Sequence, residues 1–138
     1  LHTLRRQHPD FIFTGIKRGE ELARHYACGD LFLFPSRSET FGNVVTEAMA
    51  SGLAVVAYDQ AAAGEHIRDN ETGALPAEDT TEGFIGRATA LAYDREHMRR
   101  IGEAAARHAA GLGWSGIVAR FTDLLQQQIE ARRHAPAA

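Results

Sequence analysis

Two carboxylates, Glu39 and Glu47, stand in the run "SRSETFGNVVTEAMASG" (36–52) with seven residues between them, Gly42 and Asn43 among those seven. The run follows an apolar, strand-like stretch and passes into an apolar pattern at helical spacing, Val44, Val45, Ala48 and Met49. The helix is therefore predicted to begin between Thr40 and Asn43. Its first N–H groups have no partner inside the helix, and the dipole makes that end electropositive. Such an end holds anions, phosphate above all. Gly42 has no side chain to keep a phosphate from the backbone. Asn43, Glu47 and Ser51 form an i, i+4, i+8 stripe beside the apolar face. A carboxylate accepts two hydrogen bonds side by side, which suits the vicinal diol of a ribose; dinucleotide-binding folds use an acidic residue in this way. Glu39 lies on the opposite flank of the anion site, where a second polyol would be. A sugar on each side of a diphosphate describes a nucleotide-sugar. Spacing alone leaves a second reading open, in which Glu47 is a solvated helix residue and Glu39 a loop charge.

The elements that must position these residues read as strand alternating with helix. Apolar runs at 11–15, 31–36, 53–59 and, more weakly, 73–77 predict strands. The second and third are nearly continuous, as in strands buried on both faces of a parallel sheet. Helices are predicted over 19–29 and 43–52, with a short turn of helix at 64–70. This order implies an α/β fold, a Rossmann-like parallel sheet with flanking helices. Beyond position 80 the pattern is all helical, and three stripes are expected to pack on the core. They are Phe84, Ile85, Ala88, Leu91 and Ala92; then Met98, Ile101 and Ala105; then Trp114, Ile117, Val118, Phe121, Leu124 and Leu125. The domain is expected to span 1–132, with 133–138 a disordered tail.

Composition narrows the classes. The 138 residues suit one domain, and a net charge of −3 argues against a nucleic-acid partner. The single cysteine, Cys28, lies on an apolar pattern and is expected to be a small buried residue of a protein in a reducing, cytoplasmic compartment. No apolar run approaches the ~20 residues that span a bilayer. The seven histidines have no paired ligand spacing, so no metal site is expected. Ser36 has no His–Asp system to activate it, and a carboxylate pair split by a phosphate site does not suit glycoside hydrolysis. Arg5, Arg6, Lys17 and Arg18 read as solvated surface charges. The chain opens on Leu1 rather than Met, and is expected to be a fragment.

The longer string "YACGDLFLFPSRSETFGNVVTEAMASGLAVVAYD" resembles the donor-site segment of retaining glycosyltransferases of family 4. Tyr26, Ala27 and Asp30 fill the strand entry; Pro35, Ser36, Glu39, Phe41 and Gly42 the loop; Glu47, Ala48, Met49, Ala50 and Gly52 the helix; Val55 and Val56 the next strand. Downstream, Glu65, Ile67 and Gly73 match a further Glu-x-Ile…Gly segment, and "GWSGIVARFTDLL" resembles a closing Trp-containing helix. The loop "DQAAAGEHI" departs from the resemblance, with Ala61, Ala62 and Ala63 where many members carry Gly-Gly and Pro.

The resemblance implies the C-terminal, donor-binding half of a GT-B fold, followed by C-terminal helices. It implies that Glu39 contacts the donor hexose and serves as the catalytic residue, and that Glu47 contacts the ribose. Phe41, Gly42, Asn43 and Val44 would complete the donor site, the backbone after Phe41 and Gly42 approaching the diphosphate. No metal and no cofactor beyond the donor substrate are implied. The implied partners are a nucleotide-sugar donor, a carbohydrate or lipid-linked acceptor and an N-terminal domain of the same protein. Peripheral membrane association belongs to the same expectation. The Arg and Lys that neutralise the diphosphate in the family would lie upstream of Leu1, so the chain alone is not expected to turn over. A non-catalytic nucleotide-binding or regulatory module of the same fold is the alternative.

Overall fold

A computed structural model describes residues 2–38 and 43–133. In chain order the elements are α1 (His2–Gln7), α2 (Gly19–Ala27), β1 (Leu31–Phe34), α3 (Asn43–Ala50), β2 (Ala54–Ala57), α4 (Ala61–His66), α5 (Thr81–Tyr93), α6 (Arg95–Ala110) and α7 (Trp114–Arg133). No described helix is long and apolar enough to cross a membrane.

β1 and β2 pair in parallel, Leu31 opposite Ala54 and Phe34 opposite Ala57, with α3 as the crossover between them. The β2 run is apolar at every position because both its faces are covered. Val55 and Ala57 face α3, α4 and Ala105 of α6; Ala54 and Val56 face α5 and Ile101 of α6. All four are buried. The expected α/β class with a parallel sheet and flanking helices is what forms.

Several expectations fail in detail. Residues 73–77 do not make a strand: Ala74 alone bridges Val56, and Pro76 has no N–H to extend a ladder. Residues 11–15 do not pair with β1 either. Their aromatic rings are taken up locally, Phe11 stacked on His8 with centroids 4.5 Å apart and Phe13 under Arg5 at 5.2 Å, and Ile12 is left exposed. α4 begins at Ala61, ahead of the expected 64–70 turn, and ends at His66, after which Ile67 is extended and buried.

The helical stripes are narrower than the apolar pattern suggested. Phe84, Ala88 and Leu91 of α5 are buried, whereas Ile85 and Ala92 face solvent. Val118, Phe121, Leu124 and Leu125 of α7 are exposed, so the expected core packing of the third stripe does not form among the described residues. The side chains of Trp114 and Ile117 lie outside the described set, as do positions 134–138 of the expected tail. Cys28 is exposed, not buried. It caps the C-terminal end of α2 two positions after half-buried Tyr26, and at 3.6 residues per turn that spacing turns it to the opposite side.

α6 lies directly on the turn before β2. A Cβ added at Gly102 would meet the carbonyl oxygen of Gly52 at 2.2 Å, and Gly52 itself has φ +81. Only glycine permits that approach and that turn. Asp94 caps α6 by accepting from His97 N at 2.9 Å, and Thr80 caps α5 by accepting from Gly83 N at 3.0 Å.

Candidate functional site

β1 ends at Phe34, and the chain passes through Pro35–Ser38 before α3 opens at Asn43. Glu39, Phe41 and Gly42 lie outside the described residues. Asn43, Val44 and Glu47 are described. α3 is held by Val45, Ala48 and Met49, all buried, so its opposite face is turned outward. Asn43 and Glu47 are exposed on that outward face one turn apart, and Val44 is half-buried beside the core. The third member of the stripe, Ser51, spends its hydroxyl on the Glu47 main-chain oxygen at 2.9 Å.

The Glu47 side chain has a protein partner that the sequence did not announce. The Tyr26 hydroxyl donates to its Oε2 at 3.3 Å. Tyr26 is set by its ring, which meets Phe32 of β1 edge-on with centroids 5.8 Å apart. Burial raises the Tyr26 phenol above its ordinary pKa, and the negative charge and hydrogen bond of Glu47 push it the same way. The phenol therefore stays a neutral donor, and no described hydrogen bond occupies Glu47 Oε1. The arrangement is a carboxylate with one oxygen oriented by the protein, one turn in from the start of α3. It can accept from a ligand hydroxyl while the helix end receives an anion.

A second group at the same edge of the sheet was missed in the sequence. Arg37 Nη2 donates to the Tyr58 hydroxyl at 3.3 Å and to the Asp79 carbonyl at 3.1 Å. Its Nε faces Asp79 Oδ1 at 3.4 Å, and its guanidinium lies 4.6 Å from the Tyr58 ring centroid. These partners are 21 and 42 residues away, beyond any local pattern. The one available signal was Tyr58 at the end of a buried strand, since a buried phenol needs a partner for its hydroxyl.

Other candidates resolve into structure. Arg5, Arg6 and Arg18 are exposed, and Lys17 pairs with Glu21 within one helical turn. In the downstream segment Glu65 is exposed, while Gly73 has a packing role: a Cβ there would sit 2.7 Å from Ile67 Cγ2. Among the described residues no cluster of His, Cys, Asp and Glu is placed to hold a metal. A concavity of about 510 Å3 lies at the far end of the strands, where Gly29 and Asp30 lead into β1 and Gly52 precedes β2. Ligand sites in open parallel sheets lie instead at the carboxyl ends of the strands, where Arg37 and α3 are.

Comparison with known proteins addresses the same segment. Residues 1–94 match the family model described as glycosyl transferases group 1. The chain is similar to a sulfoquinovosyl transferase of Arabidopsis thaliana, 40% identical over 113 residues that make up 80% of this chain and 22% of that protein. It is similar also to a D-inositol 3-phosphate glycosyltransferase of Nocardia farcinica, 41% identical over 96 residues, 70% of this chain and 21% of that protein. Among solved structures, sucrose-phosphate synthase from Thermosynechococcus elongatus superposes with a TM-score of 0.75 at 25% identity, covering 94% of this chain and 34% of that one. The chain thus spans about a fifth of the length of these curated relatives.

Proposed function

Because the chain belongs to the glycosyl transferases group 1 family, we propose that it is the donor-binding part of a retaining enzyme that moves a hexosyl group from a nucleoside-diphosphate sugar to an acceptor hydroxyl. The observation that carries this reading is the placement of Glu47. It stands one turn inside α3 with its Oε2 held by Tyr26, close to the electropositive start of that helix.

In this reading Glu47 accepts from the ribose hydroxyls. The N–H groups at the start of α3, with Gly42, Asn43 and Val44, receive the diphosphate, and Phe41 lines the approach. Glu39 orients the hexose and favours the positive charge that develops on its anomeric carbon. The bond from that carbon to the phosphate oxygen breaks, and the acceptor oxygen takes its place on the same face. The acceptor's proton passes to the departing phosphate, and no covalent enzyme intermediate forms. Helix-end donors aimed at the leaving oxygen act as an oxyanion hole does, so the chemistry runs without a metal ion. The acceptor is a carbohydrate or lipid-linked hydroxyl brought by another part of the protein, which works in the cytoplasm and touches the membrane peripherally where its acceptor is a lipid.

Calorimetric titration with UDP, GDP and ADP and with their glucose or mannose conjugates tests the reading. Binding of one nucleoside diphosphate together with its sugar conjugate is the expected result. Binding of none of them would overturn it.

A further inference from the structure

We propose that β1 is an interior strand of the intact protein. Its open edge takes a further parallel strand, contributed by sequence outside this chain, and residues 11–15 lie beyond that strand on the same side. The inference concerns the sheet and is independent of the donor-site reading.

The edge itself is the first observation. Among the described residues β1 pairs with β2 alone. The Asp30 carbonyl accepts from Ala54 N at 3.1 Å, so the two-residue repeat of a strand turns the N–H and C=O groups of Leu31 and Leu33 to the other side. No described main-chain bond meets them there. The far edge of β2 is different: Ala74 N donates to the Val55 carbonyl at 2.8 Å, and the Ala74 carbonyl accepts from Ala57 N at 3.3 Å. The side chains of β1 are the second observation. Leu31–Phe34 is apolar at every position, the pattern of a strand covered on both faces. Phe32 and Phe34 pack with Tyr26 on the face that α3 covers, whereas Leu33 points to the other face and is 48% exposed. Edge strands that stay at the edge are blunted by a charge, a proline or a bulge, and Leu31–Phe34 carries no charge and no proline.

Handedness is the third observation. Connections between parallel strands of one sheet are right-handed. α3 carries the chain from β1 to β2 over one face, and α2 packs on that same face through Tyr26. Two right-handed connections over one face step in the same direction across the sheet. A strand ahead of α2 and parallel to β1 therefore lies on the open side of β1. Residues 11–15 are the apolar run ahead of α2, and Ile12 is 88% exposed. They do not close on β1 although its edge is free, so they are not its immediate neighbour. That neighbour comes from elsewhere in the protein, and the curated relatives, of which this chain spans about a fifth, have the length to supply it. A second copy paired at this edge would close off the side on which residues 11–15 must join.

The test uses the intact protein that carries this chain. Amide exchange read by NMR should find the Leu33 N–H protected by about 100-fold or more, as a ladder bond in a stable sheet is. Cross-strand NOEs from Leu33 should lead to residues outside this chain. Leu33→Pro removes an N–H that an edge strand can spare and an interior strand cannot. It should damage the thermal transition as severely as Phe32→Pro, whose lost N–H faces β2 in either case. A Leu33 amide that exchanges freely beside a protected Phe32 amide overturns the proposal, and this reading needs no variant to fold. A Leu33→Pro protein with the wild-type Tm overturns it too. NOEs from Leu33 to residues 11–15 would make that run the direct neighbour and overturn the inserted strand. Protection that appears only as light scattering shows a dimer forming would assign the edge to a second copy and overturn it as well.

Discussion

The Tyr26 hydroxyl and Glu47 Oε2 meet at 3.3 Å, bringing the last turn of α2 to the carboxylate on α3. This contact orients one oxygen of Glu47 before any ligand arrives. Glu47→Gln is expected to weaken nucleoside diphosphate binding by roughly 1–3 kcal/mol, the scale of a hydrogen bond to a charged group. Tyr26→Phe should weaken it by about 0.5–1.5 kcal/mol, because the carboxylate survives and only its orientation is lost. Inorganic pyrophosphate, which lacks a ribose, should be held nearly unchanged by both variants. Calorimetry with the two ligands in parallel reads the difference, and equal losses for both would remove the ribose assignment.

Glu39 is assigned to the hexose and should behave differently from Glu47. Glu39→Ala is expected to depress transfer by about 100-fold or more, the effect of losing one contact made in the transition state. Affinity for the bare nucleoside diphosphate should be nearly intact. Collapse of that affinity in a folded variant would contradict the assignment.

The raised pKa of Tyr26 carries a linkage with a definite sign. A group that holds its proton more tightly when folded adds stability below its unfolded pKa, near 10, and loses it as pH rises through the folded value. Chemical-denaturation midpoints should therefore fall above about pH 10, and fall less steeply in Tyr26→Phe. Parallel slopes for the two proteins would show that Tyr26 titrates alike in the folded and unfolded chain.

Gly102→Ala tests the contact between α6 and the turn before β2. Alanine's better helix propensity would favour the change by about 1 kcal/mol. The new Cβ, however, would lie 2.2 Å from a backbone oxygen that has nowhere to go. The clash should win, with a net loss of about 1–3 kcal/mol as in other overpacked cores. A urea midpoint equal to or above that of wild type would show that α6 can shift.

What the sequence revealed and what it hid follow from the range of the forces involved. β2 and α3 were readable because their burial is periodic along the chain: Val55 and Val56 are each covered on their own face, and Val45, Ala48 and Met49 repeat at helical spacing. Glu47 was readable as a candidate because its stripe is defined by α3 alone. Its partner Tyr26 was not, since that contact depends on how two helices are placed about β1. Arg37, Tyr58 and Asp79 carry no spacing signal, since they come together from three separate segments of the chain. The opposite error arose at Phe11–Phe13 and along α7. There the apolar pattern is real, but among the described residues the side chains find either local aromatic partners or water.

α6 contributes Ala105 to the core on one face of β2 and Ile101 to the core on the other. During synthesis, then, neither face of that strand can be sealed until the ribosome has released the chain beyond residue 105. Up to that point the nascent protein carries Leu53–Ala57 as a β-prone run covered only in part, by α3, α4 and α5, the kind of segment that pairs wrongly between copies. α6 reaches both faces because Gly102 lets it lie against Gly52, so a side chain at that one position strains both cores together.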